Sequence, residues 1–399
     1  GVGDIYVAAF ARFPARLGLM ARLVCSQMNF PAWDPVLFDI PFLPIDIRWY
    51  GMMYVVGFVF GQWIFVRLAR HGFFPVSPEA APDLIFYCVF GVMLGGRLGY
   101  ALFYDHSLLN PVNFIQVWKG GLAFHGGLGG VCIAIWLFCR RHKIGWGRVA
   151  DATAMAGTPG IFAVRMANFI NGELYGRVTE NGPKTWGAMQ FPTDPSALRL
   201  LHLHEGMSMR DRELGVQVAF GHKEFADVKD QLNATDVHGN PINWDAIEPY
   251  LDWSRVKDMT DPMSGDYLVP FRHPSQLYEG FGEGLFLGLV LLVVYMLTRN
   301  KPLRTGRYAA IFLLGYAVIR GSLEMVRQWD PQFPPQGVLF GMTMGQTLSV
   351  GMVIGALAIL CWPRRPEASS EAVPPGVAEP KSDGSAPAAK PSKKTDKNP

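Results

Sequence analysis

Residues 341–362 read GMTMGQTLSVGMVIGALAILCW, a run without a single charged residue. An α-helix rises about 1.5 Å per residue, so roughly 20 such residues cross a hydrocarbon layer about 30 Å thick. A helix that is apolar all round has no place on the surface of a water-soluble domain. Six further stretches carry the same signal, near 49–69, 83–104, 121–139, 149–170, 277–297 and 307–326. The fold expected is therefore an all-α polytopic membrane protein with about seven transmembrane helices. Composition agrees, because half of the 399 residues are hydrophobic and only 17% are charged, against about 25% in an ordinary soluble domain.

Between the fourth and fifth stretches lies a long polar segment, 174–272, which contains Trp186, Trp244 and Trp253 and reads as a small folded extracytoplasmic region. The chain then divides into an N-terminal extension (1–32), transmembrane helices 1–4 (33–173), the extracytoplasmic region (174–272), transmembrane helices 5–7 (273–362) and a tail (363–399). The extension contains Arg12, Arg16 and Arg22 between apolar stretches; it reads as a dispensable extension, an interfacial amphipathic helix or a targeting sequence. The tail is Pro, Ala, Ser and Lys with almost nothing apolar to bury, so a disordered cytoplasmic tail is expected.

Basic residues cluster after alternate spans. Arg67 and Arg70 follow the first, Arg140, Arg141, Lys143 and Arg148 the third, Arg299, Lys301, Arg304 and Arg307 the fifth, and Arg364 and Arg365 the seventh. The positive-inside rule puts these in the cytoplasm, with the N-terminus outside and the C-terminus inside. A net charge of +3 over the whole chain is too dilute for a nucleic-acid footprint. Cys25, Cys88, Cys132, Cys139 and Cys361 form no CxxC pair, so neither a disulfide framework nor a metal site is expected.

A charged side chain at the centre of a spanning helix costs at least about 2.5 kcal/mol, so each one needs a partner or a function. The second span carries Arg97 inside GGRLGY, the third His125 inside FHGGLGG, the fourth Arg165 and Asn168, and the sixth Arg320, Glu324 and Arg327. Arg165 and Asn168 share a helix face, and so do Arg320, Glu324 and Arg327. Two readings of the latter set stand side by side: an intrahelical ion pair, or part of an anion site. One Arg is left over in either case. With Arg97 and Arg165 it makes a positive surplus suited to a lipid phosphate.

His125 lies among glycines, where it is either a packed helix-seam residue or a general base with an unperturbed pKa of about 6.5. NFINGELYGR places Asn168, Asn171, Glu173, Tyr175 and Arg177 at a membrane edge, as a polar site or as a capped helix end closed by Asn171 and Gly172. HPSQLYEG opens the fifth span, with Pro274 at its entry and Ser275, Gln276 and Glu279 turned to partners the sequence does not identify.

In order and spacing, RWYG at 48–51, GGRLGY, FHGGLGG, RMANFINGELYGR, RHPSQLYEG and MGQ at 344–346 resemble the prolipoprotein diacylglyceryl transferase family, over roughly residues 33–362. The resemblance implies a bacterial inner-membrane transferase that catalyses the first step of lipoprotein maturation. Such an enzyme moves the sn-1,2-diacylglyceryl group of phosphatidylglycerol to the lipobox cysteine thiol of a prolipoprotein. A thioether forms and glycerol phosphate leaves, without cofactor or metal. By motif match it implies a catalytic set of Tyr50, His125, Arg165, Glu173, Arg320 and Glu324. The phosphatidylglycerol-binding set is Arg97, Arg165, Asn168, Asn171, Gly176 and Arg320. Glu173 and Glu324 are expected to orient the guanidiniums, with a role as base for either as the alternative. The competing readings are a transporter or channel with these residues along an ion path, and a lipid-binding scaffold without turnover.

Overall fold

The computed structural model describes residues 28–31, 33–39, 46–103, 105–116, 121, 123–203, 207–232, 242–301, 303–328 and 341–361, without the side chains of 39, 46, 103, 124, 125 and 128. Each of the seven apolar stretches is helical: α1 (Trp49–Arg70), α2 (Asp83–Phe103), α3 (Phe124–His142), α4 (Trp146–Ile170), α5 (Ser275–Thr298), α6 (Arg307–Leu323) and α7 (Met344–Cys361). The expectation of an all-α chain needs one correction. A short antiparallel ribbon, β1 (Val36–Asp39) with β2 (Asp46–Arg48), leads directly into α1. The tail, and all of the N-terminal extension except 28–31, lie outside the described residues.

Among the described residues, four helices, α1, α2, α5 and α7, are long and apolar enough to cross a membrane. Many of their large side chains are exposed, among them Phe58, Val59 and Trp63 on α1, Phe86, Phe90 and Leu94 on α2, and Leu289, Leu292 and Leu297 on α5. A contiguous apolar exterior of this kind suits lipid and not water. The other three are shorter or carry more charge: α6 has 17 residues and contains Arg320, α3 ends on Arg140 and Arg141, and α4 holds Asp151 and Arg165.

Lipid offers no hydrophobic drive for helix pairing, so contact depends on close packing of small residues. Gly91, Gly95 and Gly99 of α2 face Gly126 and Gly130 of α3 with the two backbones touching; a Cβ on Gly99 would stand 2.8 Å from the Gly126 Cα. Gly57 of α1 meets Gly160 of α4 in the same way, and Gly284 of α5 lies against the Phe162 backbone of α4. Pro159 lies within α4 and cannot donate to the Met155 carbonyl, but the Thr158 hydroxyl donates to that oxygen at 3.2 Å. This is how a proline is accommodated in an apolar helix.

Asp151, fully buried on α4, accepts from the Gly306 and Ala309 amides at 2.7 and 2.9 Å and so caps the start of α6. The segment 174–272 folds around a core of its own that includes Leu201, Leu203, Trp244, Trp253 and Val269. A smaller cluster of Phe30, Phe169, Met189 and Phe191 seats it on the end of α4.

The two neighbouring glycines of α3 give a test of the seam. A methyl group at Gly130 would run into the Gly91 carbonyl, whereas one at Gly129 would meet nothing. Thermal unfolding in detergent should show Gly130→Ala destabilised by about 1–3 kcal/mol through overpacking. Gly129→Ala should hold or raise the Tm, because alanine favours helix by up to about 1 kcal/mol. Equal Tm values for the two variants would contradict the close approach of α2 and α3.

Candidate active site

The end of α4 builds half of the site by local rules. Asn171 closes the helix and Gly172 follows with φ +65°; the Gly172 amide returns to the Phe169 carbonyl at 2.9 Å and the Glu173 amide to the Asn168 carbonyl at 3.0 Å. This is a Schellman turn, whose left-handed position favours glycine. The turn folds Glu173 back on its own helix, where its Oε1 accepts from Asn168 Nδ2 at 2.8 Å. The Asn168 side chain also reaches the Tyr50 hydroxyl on α1, which lies 3.5 Å from that of Tyr54. The helix cap is what assembles this polar chain.

The HPSQ motif locks that turn from the start of α5. Gln276 Nε2 donates to the Glu173 carbonyl at 2.6 Å, and the Ser275 hydroxyl donates to the carbonyl of Leu174 at 2.9 Å. Leu174 has φ +58°, a strained conformation for a non-glycine residue that its surroundings must hold in place. Gly176 then passes between His273 and the end of α6, where a Cβ would strike the Val326 carbonyl. Its amide donates to the His273 carbonyl at 2.8 Å and the Arg177 amide to the Val326 carbonyl at 2.8 Å. The Arg177 guanidinium donates to the Arg327 and Glu324 carbonyls at 2.8 and 3.3 Å, capping the end of α6. Burial pushes the Tyr175 phenol up to about 12 and holds the His273 imidazole below its ordinary value.

The other half is a knot of charge. Glu279 of α5 is 1% exposed. Its Oε2 lies 2.9 Å from Arg165 Nη2 on α4 and 3.1 Å from Arg320 Nη1 on α6, and its Oε1 lies 3.1 Å from Arg327 Nη1. One turn along α5, the buried Glu283 lies 3.9 Å from Arg165 and 3.6 Å from Arg320. Glu324 Oε2 lies 3.7 Å from Arg320 Nε. The two halves are continuous, because Arg165 and Asn168 lie one turn apart on α4, and Gln276 and Glu279 one turn apart on α5.

Three sequence-based expectations are revised by this geometry. The expected positive surplus is not seen here by formal charge: among the described residues, Arg165, Arg320 and Arg327 face three carboxylates, Glu279, Glu283 and Glu324. The Arg left over from the α6 stripe, Arg327, is paired with Glu279. Arg97 lies apart from the knot, 1% exposed, with its guanidinium donating to the Asn113, Phe114, Gln116 and Gly121 carbonyls at 2.6–3.2 Å. It pins the segment after α2 to that helix. Glu173 holds Asn168, and the carboxylate between Arg165 and Arg320 is Glu279. Glu279 and Glu283 were detectable by the rule that picked out the arginines, since both are acids four residues apart within an apolar span. Asn171 acts as the helix terminator and Gly176 as a point of close approach. His125 lies in the first turn of α3, next to Gly126 in the seam with α2, but its side chain is outside the described residues.

Removing one partner from a buried ionic cluster strands the others, at about 3–5 kcal/mol. Glu279→Gln should accordingly lower stability in micelles by about 3 kcal/mol or more. A second substitution, Arg327→Gln, should recover part of the loss by removing one excess cation. An unchanged melting temperature for the single variant would contradict a structural role for the knot.

The profile of a family described as prolipoprotein diacylglyceryl transferase matches residues 35–362. A phosphatidylglycerol-prolipoprotein diacylglyceryl transferase from Yersinia enterocolitica is 37% identical over 346 residues, covering 86% of this chain and 97% of its own. Proteins of the same name from Yersinia pestis and Yersinia pseudotuberculosis are each 36% identical over the same shares of both chains. On that coverage, and with every motif of the site within it, the chain belongs to the prolipoprotein diacylglyceryl transferase family.

Proposed function

We propose that this chain transfers the sn-1,2-diacylglyceryl group of phosphatidylglycerol to the lipobox cysteine thiol of a prolipoprotein in a bacterial inner membrane. The donor and the acceptor class are those in the names of its relatives. All seven helices span, with the N-terminus outside, the 174–272 region extracytoplasmic and the C-terminus cytoplasmic; the basic connections after α1, α3 and α5 support this orientation. The observation that carries the reading is the meeting of Arg165 and Arg320, from two helices, at one carboxylate oxygen inside a bundle with an apolar exterior.

A guanidinium has five N–H donors in a rigid fork. Glu279 ion-pairs with Nη2 of Arg165 and Nη1 of Arg320, which brings the two guanidiniums together while their N–H donors serve a lipid phosphate. The incoming nucleophile is the substrate's own thiol, reactive as the thiolate. His125 takes the thiol proton, sulfur bonds to the glyceryl carbon next to the phosphate, and that carbon–oxygen bond breaks. The phosphodiester monoanion becomes glycerol phosphate, gaining negative charge on its oxygens. Arg165 and Arg320 stabilise this charge more strongly in the transition state than in the ground state. Asn168, held by Glu173 and next to Tyr50, adds a polar wall one helical turn from Arg165. A transporter or a scaffold would release no glycerol phosphate.

Purified protein in micelles with phosphatidylglycerol and a lipobox peptide should raise the peptide mass by one diacylglyceryl unit and release glycerol phosphate. Absence of both products overturns the reading. His125→Ala should abolish turnover, and a wild-type rate would remove His125 from the role of base. Arg165→Lys keeps the charge but loses the fork, and kcat should fall roughly a hundredfold.

A further inference from the structure

The start of α7 reaches into the charge knot. Residues 343–346, TMGQ, have the spacing of a capping box, in which the first and fourth residues satisfy each other's amides. The Gln346 amide donates to Thr343 Oγ1 at 3.2 Å, and the Thr343 amide donates to Gln346 Oε1 at 3.1 Å. These two bonds alone would merely close a helix end. A threonine hydroxyl, however, keeps a proton after accepting one bond. Here that proton goes to Glu324 Oε1, 2.8 Å away on a different helix. The other oxygen of Glu324 faces Arg320 Nε at 3.7 Å. Gly345 completes the contact, since any side chain there would overlap the Glu324 carboxylate.

We infer that Thr343 is a positioning residue for the transfer reaction, holding the Arg320 guanidinium in its working orientation through Glu324. This rests on the transferase reading above. Arg320 is ion-paired on two edges, with Glu279 3.1 Å from Nη1 and Glu324 3.7 Å from Nε. Glu279 is buried and fixed among three arginines, whereas Glu324 sits at the end of α6, where the backbone leaves the helix. Thr343, together with the positive end of α7, keeps that carboxylate from swinging away. An Arg320 held on one edge only would still attract a phosphate. It would align poorly with the oxygens on which charge develops, so the loss falls on kcat and not on KM.

Three variants of the full chain, measured in the same micelle assay with kcat, KM for phosphatidylglycerol and Tm, test this. Thr343→Ser keeps both the cap and the donor and should turn over close to wild type. Thr343→Val loses the charge-assisted bond and should lower kcat roughly ten- to hundredfold, with KM moving far less. Thr343→Asp keeps a capping side chain at the start of α7, so any fall in its Tm comes from repulsion by Glu324 and not from an uncapped helix. Its carboxylate opposes Glu324, and its kcat should fall at least as far as that of the valine variant. Wild-type kcat in the aspartate variant would reduce Thr343 to a cap and overturn the inference, as would a valine variant whose loss lies wholly in KM. A wild-type protein that lipidates no peptide would overturn the transferase reading, and this inference with it.

Discussion

The carboxylate of Glu279 is the point on which the second half of the bundle depends. Arg165 and Arg320 converge on one of its oxygens and Arg327 on the other. In a bundle whose exterior is apolar, each of these cations by itself would carry a heavy desolvation penalty. Held by one acid, with Glu283 and Glu324 close by, three cations from α4 and α6 become one paired unit around α5. The arrangement fixes helix positions and guanidinium orientations together, and orientation is what a transition state with developing phosphate charge requires. The site is thus preorganised by the contacts that hold the fold.

Bringing those side chains together requires that the helices approach closely. The glycines of α5 lie against α4 at Phe162 and Arg165. Through Gly280 and Gly284, α5 comes near enough for Glu279 and Glu283 to reach across, where larger residues would hold the helices apart. The glycine seam between α2 and α3 holds the backbone that follows His125 just as closely against its neighbour. Small residues therefore set the distances between the helices.

The polar motifs act as joints between helices. Asn171 and Gly172 end α4 and turn Glu173 onto Asn168; Ser275 and Gln276 hold that turn from α5; Arg177 caps α6 while Gly176 passes between α5 and α6. Backbone groups at helix ends must be satisfied, and here they are satisfied by residues of a neighbouring element, so that each helix end is tied to the next. Thr343 extends the pattern to α7 and Glu324.

The sequence by itself determined the helices and their order, because an uninterrupted apolar run has one stable conformation in lipid and its length is set by the bilayer. It also determined where polar residues needed explanation, since an intramembrane charge stands out against its neighbours, and the Schellman turn was written in Asn171 and Gly172. Partnership was decided only by the tertiary structure. Arg97 and Arg165 look alike in sequence, yet one holds backbone carbonyls beside α2 and the other a carboxylate on α5. Which acid lies between Arg165 and Arg320 depends on the rotation and separation of α4, α5 and α6, and that geometry arises from close packing between helices far apart in the chain. Local periodicity specifies the face a residue occupies on its own helix; only the packed bundle specifies what that face meets.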